Sequence, residues 1–395
     1  MERTVENVSI GFVSTYPPTV CGLATYTESL LGAISGDRGG GSSLGVVEVG
    51  GLHGRLDRRR VVHRHFGGDS RSLGRAARIL NTYDTVSVQH EFGIFSGPDG
   101  VEVLDLVEAI TVPVAVTLHT VLDAPTPGQR AIMGHLADRA DQLVVMSNTA
   151  AARLAGRYGV DPDRIEVIPH GANPLFARPS LVAGGRPLVL TWGLIGPGKG
   201  LETAIRAFAG LLDLRPAPRY LIAGATHPNV VAAAGETYRQ SLVSLAHGLG
   251  LDHLVEFDDR YLGGPALARL VRRADMVLLP YSSTEQVTSG VLAEAIAAGK
   301  PVVATPFPHA VELLTGGAGL MASHGDVAGF SGAIRSVLTD QDLRSSMGRD
   351  ARRLAESWFW PMIGRRYSNL LSRLAGRSTD AAGVPSGEGA RYVAG

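Results

Sequence analysis

The fold class is decided by residues 285–303, which read EQVTSGVLAEAIAAGKPVV. An apolar run, Met276–Leu279, precedes them and predicts a strand, and residues 301–304 predict the next strand. Between the two strands, a small polar turn leads into an apolar helix. A strand–helix–strand unit of this kind is typical of parallel α/β sheets, in which the helix starts at the carboxyl edge of the sheet. The free backbone N–H groups of such a helix start can hold an anion.

A second glycine-rich turn, residues 193–200, reads GLIGPGKG and also follows a predicted strand. Lys and Arg total 37, and the only lysines among them are Lys199, in this turn, and Lys300. Because nearly all other cations of the chain are arginines, a lysine here indicates that the site uses the compact charge of an ammonium group rather than the planar fork of a guanidinium group. The two turns together predict a diphosphate site. The simpler alternative for Lys199 is a solvated turn lysine.

Composition limits the possible classes of protein. The chain has 395 residues and a formal net charge of +0, which predicts two domains and gives no indication of nucleic-acid binding. The single cysteine, Cys21, excludes an intrachain disulfide and favours a reducing compartment, so we expect a cytoplasmic protein. We also expect no signal peptide, because residues 1–6 are polar and lead directly into a strand, and no transmembrane segment, because the longest apolar runs are far shorter than a membrane span. The histidines are scattered singly, so we expect no metal site.

Short β-rich runs alternate with helical stretches along the chain, in two series. This alternation predicts an α/β protein with two doubly wound, Rossmann-like domains that face each other across a cleft. Turn residues predict a first domain at residues 1–172, a linker at 173–186 and a second domain at 187–357. Glycine-rich and small-residue compositions predict flexible segments at residues 36–43 and 378–395. The pattern also predicts one helix over residues 230–249.

Candidate residues of the first domain lie at the carboxyl ends of predicted strands, where ligands of parallel sheets bind. Residues 15–26, TYPPTVCGLATY, follow the first strand, and Gly22 there would let a ligand approach a helix start. The spacing differs from G-x-G-x-x-G, which argues against a nicotinamide cofactor; a plain βα turn is the alternative. Further strand-end residues are His90, Glu91, His119 and His170. A structural hydrogen bond is the alternative role for each histidine.

The segment that decides the fold also carries polar residues with chemistry. Thr288 or Ser289 can cap the helix, and the amides of residues 290–292 would then point outward. Glu294 lies about one turn inside an apolar stretch and should be partly buried with a partner. Two ribose hydroxyls would supply that partner. A capping or salt-bridge role is the alternative.

These segments resemble the retaining GT-B glycosyltransferases of family 4, and the resemblance covers almost the whole chain. Its most specific part is the helix followed by AGKPVVAT at residues 298–305. The resemblance implies a nucleoside diphosphate sugar donor, of the GDP-mannose or UDP-hexose type, on the second domain. It implies a hydroxyl acceptor, a glycan, glycolipid or small metabolite, on the first domain, and no cofactor or metal. It also implies that residues 358–377 form a helix that returns to the first domain.

The resemblance also assigns roles to individual residues. The implied catalytic residues are His119, Lys199, Gln286 and Glu294. The implied donor-binding residues are Gly22, Gly193, Lys199, Glu285, Gln286, Thr288, Ser289, Gly290, Val291 and Glu294. The implied acceptor-binding residues are Pro18, Cys21, His90, Glu91 and His119. In this scheme Lys199 and the helix amides hold the phosphates, Glu294 holds the ribose, and His119 and Gln286 contact the sugar.

Two positions depart from the family pattern. The family has two glutamates eight residues apart; the second corresponds to Glu294, whereas the first corresponds to Gln286, with Glu285 beside it. The family's arginine in the turn at residues 193–200 is replaced by Leu194. The phosphates would therefore depend more on Lys199, unless an arginine such as Arg260 reaches them.

The implied reaction is a front-face transfer with retention, in which the β-phosphate of the donor takes the acceptor proton. The enzyme would then act by positioning and by stabilising the departing diphosphate. Two alternatives remain open from the sequence. One is an epimerase or hydrolase on the same fold, and the other is a nucleotide-sugar-binding protein without catalysis.

Overall fold

The computed structural model describes residues 8–37, 43–50, 57, 59–65, 67–174 and 185–382, with side chains up to residue 376. Within these residues the chain forms two separate sheets, of seven and six strands. All neighbouring strands in both sheets are parallel. The prediction of an α/β protein with two doubly wound sheets is confirmed.

The first sheet belongs to the N-terminal half. Its strands are β1 (Ile10–Ser14), β2 (Leu44–Glu48), β3 (Val61–Arg64), β4 (Thr85–His90), β5 (Val114–Leu118), β6 (Gln142–Val145) and β7 (Ile165–Val167). Its helices are α1 (Gly22–Asp37), α2 (Ser70–Leu80), α3 (Glu102–Glu108), α4 (Pro127–Arg139) and α5 (Asn148–Tyr158). The strand order is β3-β2-β1-β4-β5-β6-β7. Strands β1, β4 and β5 are buried at every residue because helices cover both faces of the sheet.

The second sheet has the order β10-β9-β8-β11-β12-β13. Its strands are β8 (Leu188–Trp192), β9 (Arg219–Ala223), β10 (Val255–Asp258), β11 (Met276–Leu279), β12 (Val302–Ala304) and β13 (Gly319–Met321). Its helices are α6 (Leu201–Phe208), α7 (Pro228–Ala234), α8 (Thr237–Gly248), α9 (Gly264–Arg273), α10 (Gly290–Ala297), α11 (Pro308–Leu314), α12 (Val327–Thr339) and α13 (Gln341–Ala355). Strands β8 and β11 are buried at every residue.

The last helix, α14 (Trp360–Ala382), leaves the second sheet and packs along α1 of the first. Gly364 allows this close approach, since a Cβ there would lie 2.6 Å from the carbonyl carbon of Ala33. The Tyr367 hydroxyl lies 3.1 Å from that of Tyr26 and 3.2 Å from Oγ1 of Thr117. The C-terminal helix therefore completes the core of the N-terminal domain.

One contact between the domains completes a helix. The carboxylate of Glu312, on α11, accepts the backbone N–H groups of Asn148 and Thr149 at 2.9 and 3.0 Å. Both side chains also donate to it. The next N–H, from Ala150, donates to Oγ of Ser147, the N-cap residue. The first three amides of α5 are thus satisfied by residues of both domains.

The structure differs from the sequence-based expectation in several elements. Strands β3 and β13 and helices α2, α11 and α13 were not predicted from the sequence. The single helix expected over residues 230–249 is instead α7 and α8, because Gly235 adopts a φ of 60° and ends α7. Of the segments expected to be flexible, Gly36 is helical in α1 and residues 378–382 continue α14. Residues 38–42 and 383–395, and residues 175–184 of the expected linker, lie outside the described residues.

Candidate active site

Strand order locates one crevice in each sheet. The order reverses between β1 and β4 in the first sheet and between β8 and β11 in the second. Ligands of open parallel sheets bind beyond the carboxyl ends of the strands at such a switch point. In the first sheet, the turn at residues 15–26 follows β1, and His90 is the last residue of β4. The turn at residues 193–200 and Tyr281 lie beyond β8 and β11.

The start of α10 has a cap and two available amides. Ser289 is the N-cap residue, and its Oγ accepts the N–H of Leu292 at 3.2 Å. The prediction that the Leu292 amide points outward is therefore wrong. The N–H groups of Gly290 and Val291 have no acceptor among the described residues. Two amides, rather than three, remain for an anion.

His309 fixes this helix start from behind. Its Nδ1 accepts the backbone N–H of Ser289 at 2.9 Å, so the proton of the neutral ring resides on Nε2. Burial lowers the pKa of His309 to about 4, which keeps the ring neutral at physiological pH. The N-cap residue is thereby held by two hydrogen bonds, one through its side chain and one through its backbone.

His170 of the first domain lies against the same helix start. A Cβ on Gly290 would lie 2.8 Å from Nε2 of His170, so only glycine permits this approach. Nδ1–H of His170 donates to the Gly171 carbonyl at 2.8 Å, which leaves the Nε2 lone pair facing Gly290. Burial lowers the pKa of His170 to about 4. The two crevices therefore meet at this contact.

Lys199 projects from the glycine turn onto an aromatic ring. Its Nζ lies 4.3 Å from the ring centroid of Tyr281. Within the described part of the chain, no ion pair or hydrogen bond to another side chain engages this ammonium group. Gly193, with a φ of 123°, begins the turn beside Val291 of α10. The structure thus places the lysine turn next to the available amides of α10.

Glu294 is partly buried one turn into α10, as the sequence analysis expected. Burial raises the pKa of its carboxyl to about 7, against a smaller opposing effect of a hydrogen bond from Trp192. Trp192 is the last residue of β8, directly before the lysine turn. The carboxyl group is therefore protonated or ionised in comparable amounts near neutral pH.

Gln286 and Glu285 have different environments. The Gln286 amide donates to the Thr288 carbonyl at 3.0 Å, which leaves its carbonyl oxygen for another partner. The Oγ1 of Thr288 is buried and has no partner among the described residues. The Glu285 carboxylate instead accepts from Nη1 of Arg153 and from the N–H of Asp123, at 2.9 and 2.8 Å. The position of Glu285 thus supports a contact between domains rather than the predicted contact with the donor.

His119 has a fixed tautomer. The Gln89 amide donates to Ser87 and Thr117, so its carbonyl oxygen faces His119 and accepts Nε2–H at 2.9 Å. Burial is the main cause that lowers the pKa of His119 to about 3. The ring is therefore neutral, and its Nδ1 is an acceptor. Tyr26 packs edge-on against it, with ring centroids 4.9 Å apart.

The predicted acceptor residues His90 and Glu91 are more enclosed than expected. His90 is fully buried between Phe92 and Phe95, and neither ring nitrogen has a partner among the described residues. The position of His90 therefore does not support the predicted acceptor contact. The Glu91 carboxylate accepts from Thr120 Oγ1 at 2.7 Å and from the N–H of Phe92 at 3.0 Å. Burial raises the pKa of Glu91.

The N-terminal loop is folded onto its own domain. The peptide bond between Pro17 and Pro18 is cis. Sγ of Cys21 accepts the N–H of Ala24 at 3.3 Å at the start of α1. A Cβ on Gly22 would meet nothing within 4 Å, so the loop leaves open space at that helix start.

A buried carboxylate anchors the same loop. Oε1 of Glu48 accepts from Thr19 at 3.0 Å, and its Oε2 accepts from Nε of Arg64 at 2.8 Å. Glu48 is the last residue of β2, so it joins the loop to the carboxyl end of that strand.

Arg260, the second cation suggested by the sequence, is paired with a carboxylate. Arg260 donates to both carboxylate oxygens of Asp258, at 2.9 and 2.6 Å. Leu194 is partly buried in the lysine turn and has no group that can donate. Lys199 is therefore the cation that the turn itself supplies to the second crevice.

Two kinds of feature are absent from the described residues. No group of three or more His, Cys, Asp or Glu side chains there is arranged to hold a metal ion. No helix in the same residues is long and apolar enough to cross a membrane.

Sequence reasoning missed five residues that shape this site: Gln89, Arg153, Trp192, Tyr281 and His309. Trp192 and Tyr281 follow the strand-end rule, which would have found them. Gln89, Arg153 and His309 act on residues distant in sequence, so the local pattern carries no signal for them.

Comparisons with known proteins agree with this architecture. The model of the family "Glycosyl transferases group 1" matches residues 174–354, and that of "Glycosyltransferase Family 4" matches residues 38–174. The chain is 32% identical over 308 residues to the D-inositol 3-phosphate glycosyltransferase of Corynebacterium efficiens, covering 71% of this chain and 70% of that protein. The protein of the same name from Corynebacterium glutamicum is 29% identical over 331 residues, covering 77% and 75%.

Solved structures show the same fold at low sequence identity. Anabaena Alr3699/HepE in complex with UDP has a TM-score of 0.74 and 18% identity, covering 92% of this chain and 100% of that one. WaaG, a glycosyltransferase involved in lipopolysaccharide biosynthesis, has a TM-score of 0.63 and 17% identity, covering 92% and 99%. The chain therefore belongs to glycosyltransferase family 4, the retaining, nucleotide-sugar-dependent glycosyltransferases of the GT-B fold.

Proposed function

We propose that the protein transfers a hexosyl group from a nucleoside diphosphate sugar to a hydroxyl acceptor with retention of configuration. The observation that carries the proposal is the group formed by Lys199, the amides of Gly290 and Val291, and Glu294. Lys199 belongs to the turn whose Gly193 lies beside Val291, and Glu294 lies one turn into α10. Neutral His170 approaches Gly290 from the other domain. We assign the donor to the second domain, residues 187–357, and the acceptor to the first, residues 1–172.

On the donor side, each group has a chemical task. Lys199 and the amides of Gly290 and Val291 would bind the diphosphate and stabilise the charge that develops on it as the sugar departs. Glu294 would accept hydrogen bonds from the ribose hydroxyls, in competition with Trp192. Gly193 would let the phosphates approach the turn closely because it has no side chain.

On the sugar side, the donor would meet neutral acceptors rather than charges. The free carbonyl oxygen of Gln286 and Nδ1 of His119 can each accept a sugar hydroxyl. A neutral imidazole also leaves the positive charge of the site with Lys199, beside the phosphates. This separation favours departure of the diphosphate over ground-state binding of the sugar.

The proton of the acceptor hydroxyl would pass to the β-phosphate of the donor. An epimerase or hydrolase would need an acid or base carboxylate in the cleft. The candidates for that role are Glu91 and Glu285, and both already hold hydrogen-bond partners. Their engagement favours the transferase over an epimerase or hydrolase on the same fold. The other alternative from the sequence is a binding protein without catalysis. Measurement of turnover must separate it from the transferase.

The donor to test first is a UDP-hexose. One solved relative is described as a complex of HepE with UDP-glucose, and GDP-mannose is the second choice from the family resemblance. The named relatives act on D-inositol 3-phosphate, which is one acceptor to test beside glycans and glycolipids. We further propose a cytoplasmic location, since Cys21 is free and is the only cysteine.

The test is turnover of labelled donor. UDP-glucose, UDP-galactose and GDP-mannose are incubated with the protein and an acceptor panel, and the anomeric configuration of any product is read by NMR. We expect transfer or slow hydrolysis from one donor, and a loss of at least about 100-fold in kcat/KM in Lys199→Met. Tight donor binding without any turnover would instead identify a binding protein. An inverted product would contradict the proposed reaction.

A further inference from the structure

The cation at the donor site is seated on a ring rather than beside a carboxylate. Nζ of Lys199 lies 4.3 Å from the centroid of the Tyr281 ring. Tyr281 is 1% exposed, and its other surroundings include Phe307, whose ring is stacked at a centroid distance of 5.1 Å. Phe307 is itself fully buried. The ring that contacts the lysine is therefore packed into the hydrophobic core of the second domain.

The hydroxyl of Tyr281 does not account for this placement. It is buried and has no hydrogen-bond partner among the described residues. A buried hydroxyl without a partner costs free energy, so its position gives no reason to prefer tyrosine over phenylalanine. The face of the ring is the part of this side chain that contacts a charged group.

The backbone fastens the two segments together. The N–H of Ser282 donates to the carbonyl of Gly198 at 2.9 Å. Gly200, with a φ of 63°, passes so close to Pro280 that a Cβ would lie 1.8 Å from the proline carbonyl oxygen. The lysine turn is thus docked on the residues that follow β11, and Tyr281 lies between the two docking points.

A ring and a carboxylate hold a lysine with different consequences. A carboxylate neutralises the ammonium charge, so a diphosphate must compete with it. The ring quadrupole attracts the cation without carrying an opposite net charge, so the full positive charge remains for an anion. Order in the lysine also lowers the entropy lost on binding, because the side chain is already restrained.

We propose that Tyr281 is a positioning residue that holds Lys199 through its ring face, charged and oriented, for the diphosphate of the donor. This inference rests on the proposed function, in which Lys199 binds that diphosphate. It predicts that the aromatic face at position 281 sets nucleotide affinity only through Lys199. The hydroxyl of Tyr281 has no part in it.

A double-mutant cycle tests the proposal on the full-length protein. The Kd of UDP and of GDP is measured by calorimetry at one ionic strength for wild type, Tyr281→Phe, Tyr281→Leu, Lys199→Met and the Tyr281→Leu/Lys199→Met double variant. We expect Tyr281→Phe to keep the wild-type Kd of the tighter nucleotide and Tyr281→Leu to raise it about tenfold. The double variant should bind no more weakly than Lys199→Met, because the two residues act as one unit.

The cycle separates the two levels of inference. An unchanged Kd in Lys199→Met would overturn the diphosphate assignment, and with it this proposal. Suppose instead that Lys199→Met binds the nucleotide more weakly, and that Tyr281→Leu raises the Kd by the same factor in wild type and in Lys199→Met. That result would overturn the role of Tyr281 alone. An effect of Tyr281→Phe as large as that of Tyr281→Leu would do the same, since it would place the hydroxyl in the mechanism.

A second replacement keeps the test valid if Tyr281→Leu fails to fold. Pentafluorophenylalanine at position 281 preserves the ring and reverses its quadrupole. Compared with Tyr281→Phe, this replacement should raise the nucleotide Kd where Lys199 is present. In the Lys199→Met background, the Kd should be the same for both replacements. Equal Kd values for the fluorinated protein and Tyr281→Phe would show that the ring only fills space, and the proposal would fail.

Discussion

The carboxylate of Glu285 lies 2.9 Å from Nη1 of Arg153, so the donor segment of one domain is tied to a helix of the other. The same Nη1 donates to the carbonyls of Val121 and Glu285 at 2.8 and 3.0 Å. Glu285 is therefore part of the contact between the two domains. Its neighbour Gln286 keeps a free carbonyl oxygen. Substitution of these two adjacent side chains should therefore affect different properties, sugar transfer for Gln286 and stability for Glu285.

We expect Gln286→Glu to change sugar handling and leave the Kd of the nucleoside diphosphate nearly intact. An amide both donates and accepts, whereas a carboxylate only accepts, so the contacts to the sugar change. Glu285→Gln should instead lower the free energy of unfolding by about 1 kcal/mol, since a partly exposed ion pair is lost. Transfer rates with two hexose donors, nucleotide Kd and urea unfolding separate the variants.

Gln286→Ala serves as the second variant at the sugar position. Unchanged rate and sugar preference in both Gln286→Glu and Gln286→Ala would show that position 286 does not correspond to the first glutamate of the family. A selective loss of transfer in Glu285→Gln, with stability unchanged, would mean that Glu285 acts on the substrate after all.

Glu312→Ala should favour an open arrangement of the two domains. The substitution removes the acceptor for two backbone amides and two side chains of α5 at once. Loss of such a cap costs about 1 to 2 kcal/mol. Small-angle scattering without ligand should give a larger radius of gyration than wild type, and the nucleoside diphosphate should bind more weakly.

The control for this variant is Glu256→Ala, which removes an ion pair with Arg219 inside the second domain. Its scattering curve should match that of wild type. If both variants, or neither, change the radius of gyration, Glu312 does not hold the domains together.

Donor binding should depend on pH through Glu294. The pKa of this carboxyl is raised to about 7, so the group gains its charge as the pH rises from 6 to 8. An ionised carboxylate accepts ribose hydroxyls more strongly, and the diphosphate of a nucleotide sugar does not titrate in this range. Affinity for the preferred donor should therefore rise with pH, and Glu294→Gln should abolish this rise. A pH-independent Kd in wild type would contradict the assignment to ribose.

Stability should change in the opposite direction. The folded protein keeps the Glu294 proton up to about pH 7, whereas the unfolded chain releases it near the ordinary value of 4.5. The folded state thus binds more protons between these values, so this group makes the protein less stable as the pH rises through the window. Glu294→Gln should gain stability relative to wild type at pH 8 compared with pH 5, as measured by urea unfolding.

We expect transfer to survive chelation. The described residues contain no cluster of metal-binding side chains, and Lys199 with the α10 amides can neutralise the diphosphate without a metal. Turnover should be the same in EDTA and in Mg²⁺ or Mn²⁺. Activity that disappears in EDTA and returns with either cation would show that the phosphate site needs a further ligand.

Local pattern in the sequence was sufficient for much of the fold. Strand β11 was predicted with the bounds that the structure has, because the run is apolar and a polar turn follows it. The missed strands β3 and β13 are short and only partly buried, so hydrophobicity marks them weakly. Helix α2 contains three arginines and a glycine, and its fixed start depends on a cap from Asp69.

The candidate site divides in the same way. Lys199 and Glu294 were identified from their own turns, and Ser289 caps α10 as its sequence suggests. The partners that orient these groups come from elsewhere in the chain: His309 binds Ser289 across 20 positions, and Arg153 binds Glu285 across 132. A single sequence holds no local trace of such pairs. The enclosure of His90 also depends on packing that its strand-end position does not reveal.

The two lysines offer a chemical handle on the site. Lys300 is 7% exposed, and its Nζ donates to the carbonyls of Arg272 and Ala274 at the end of α9. An amine-directed reagent therefore meets only one accessible lysine side chain, that of Lys199. Acylation or a lysine-reactive fluorophore would report occupancy of the cleft without any engineered residue. The rarity of lysine in this chain thus turns an ordinary surface-labelling reaction into a site-directed probe.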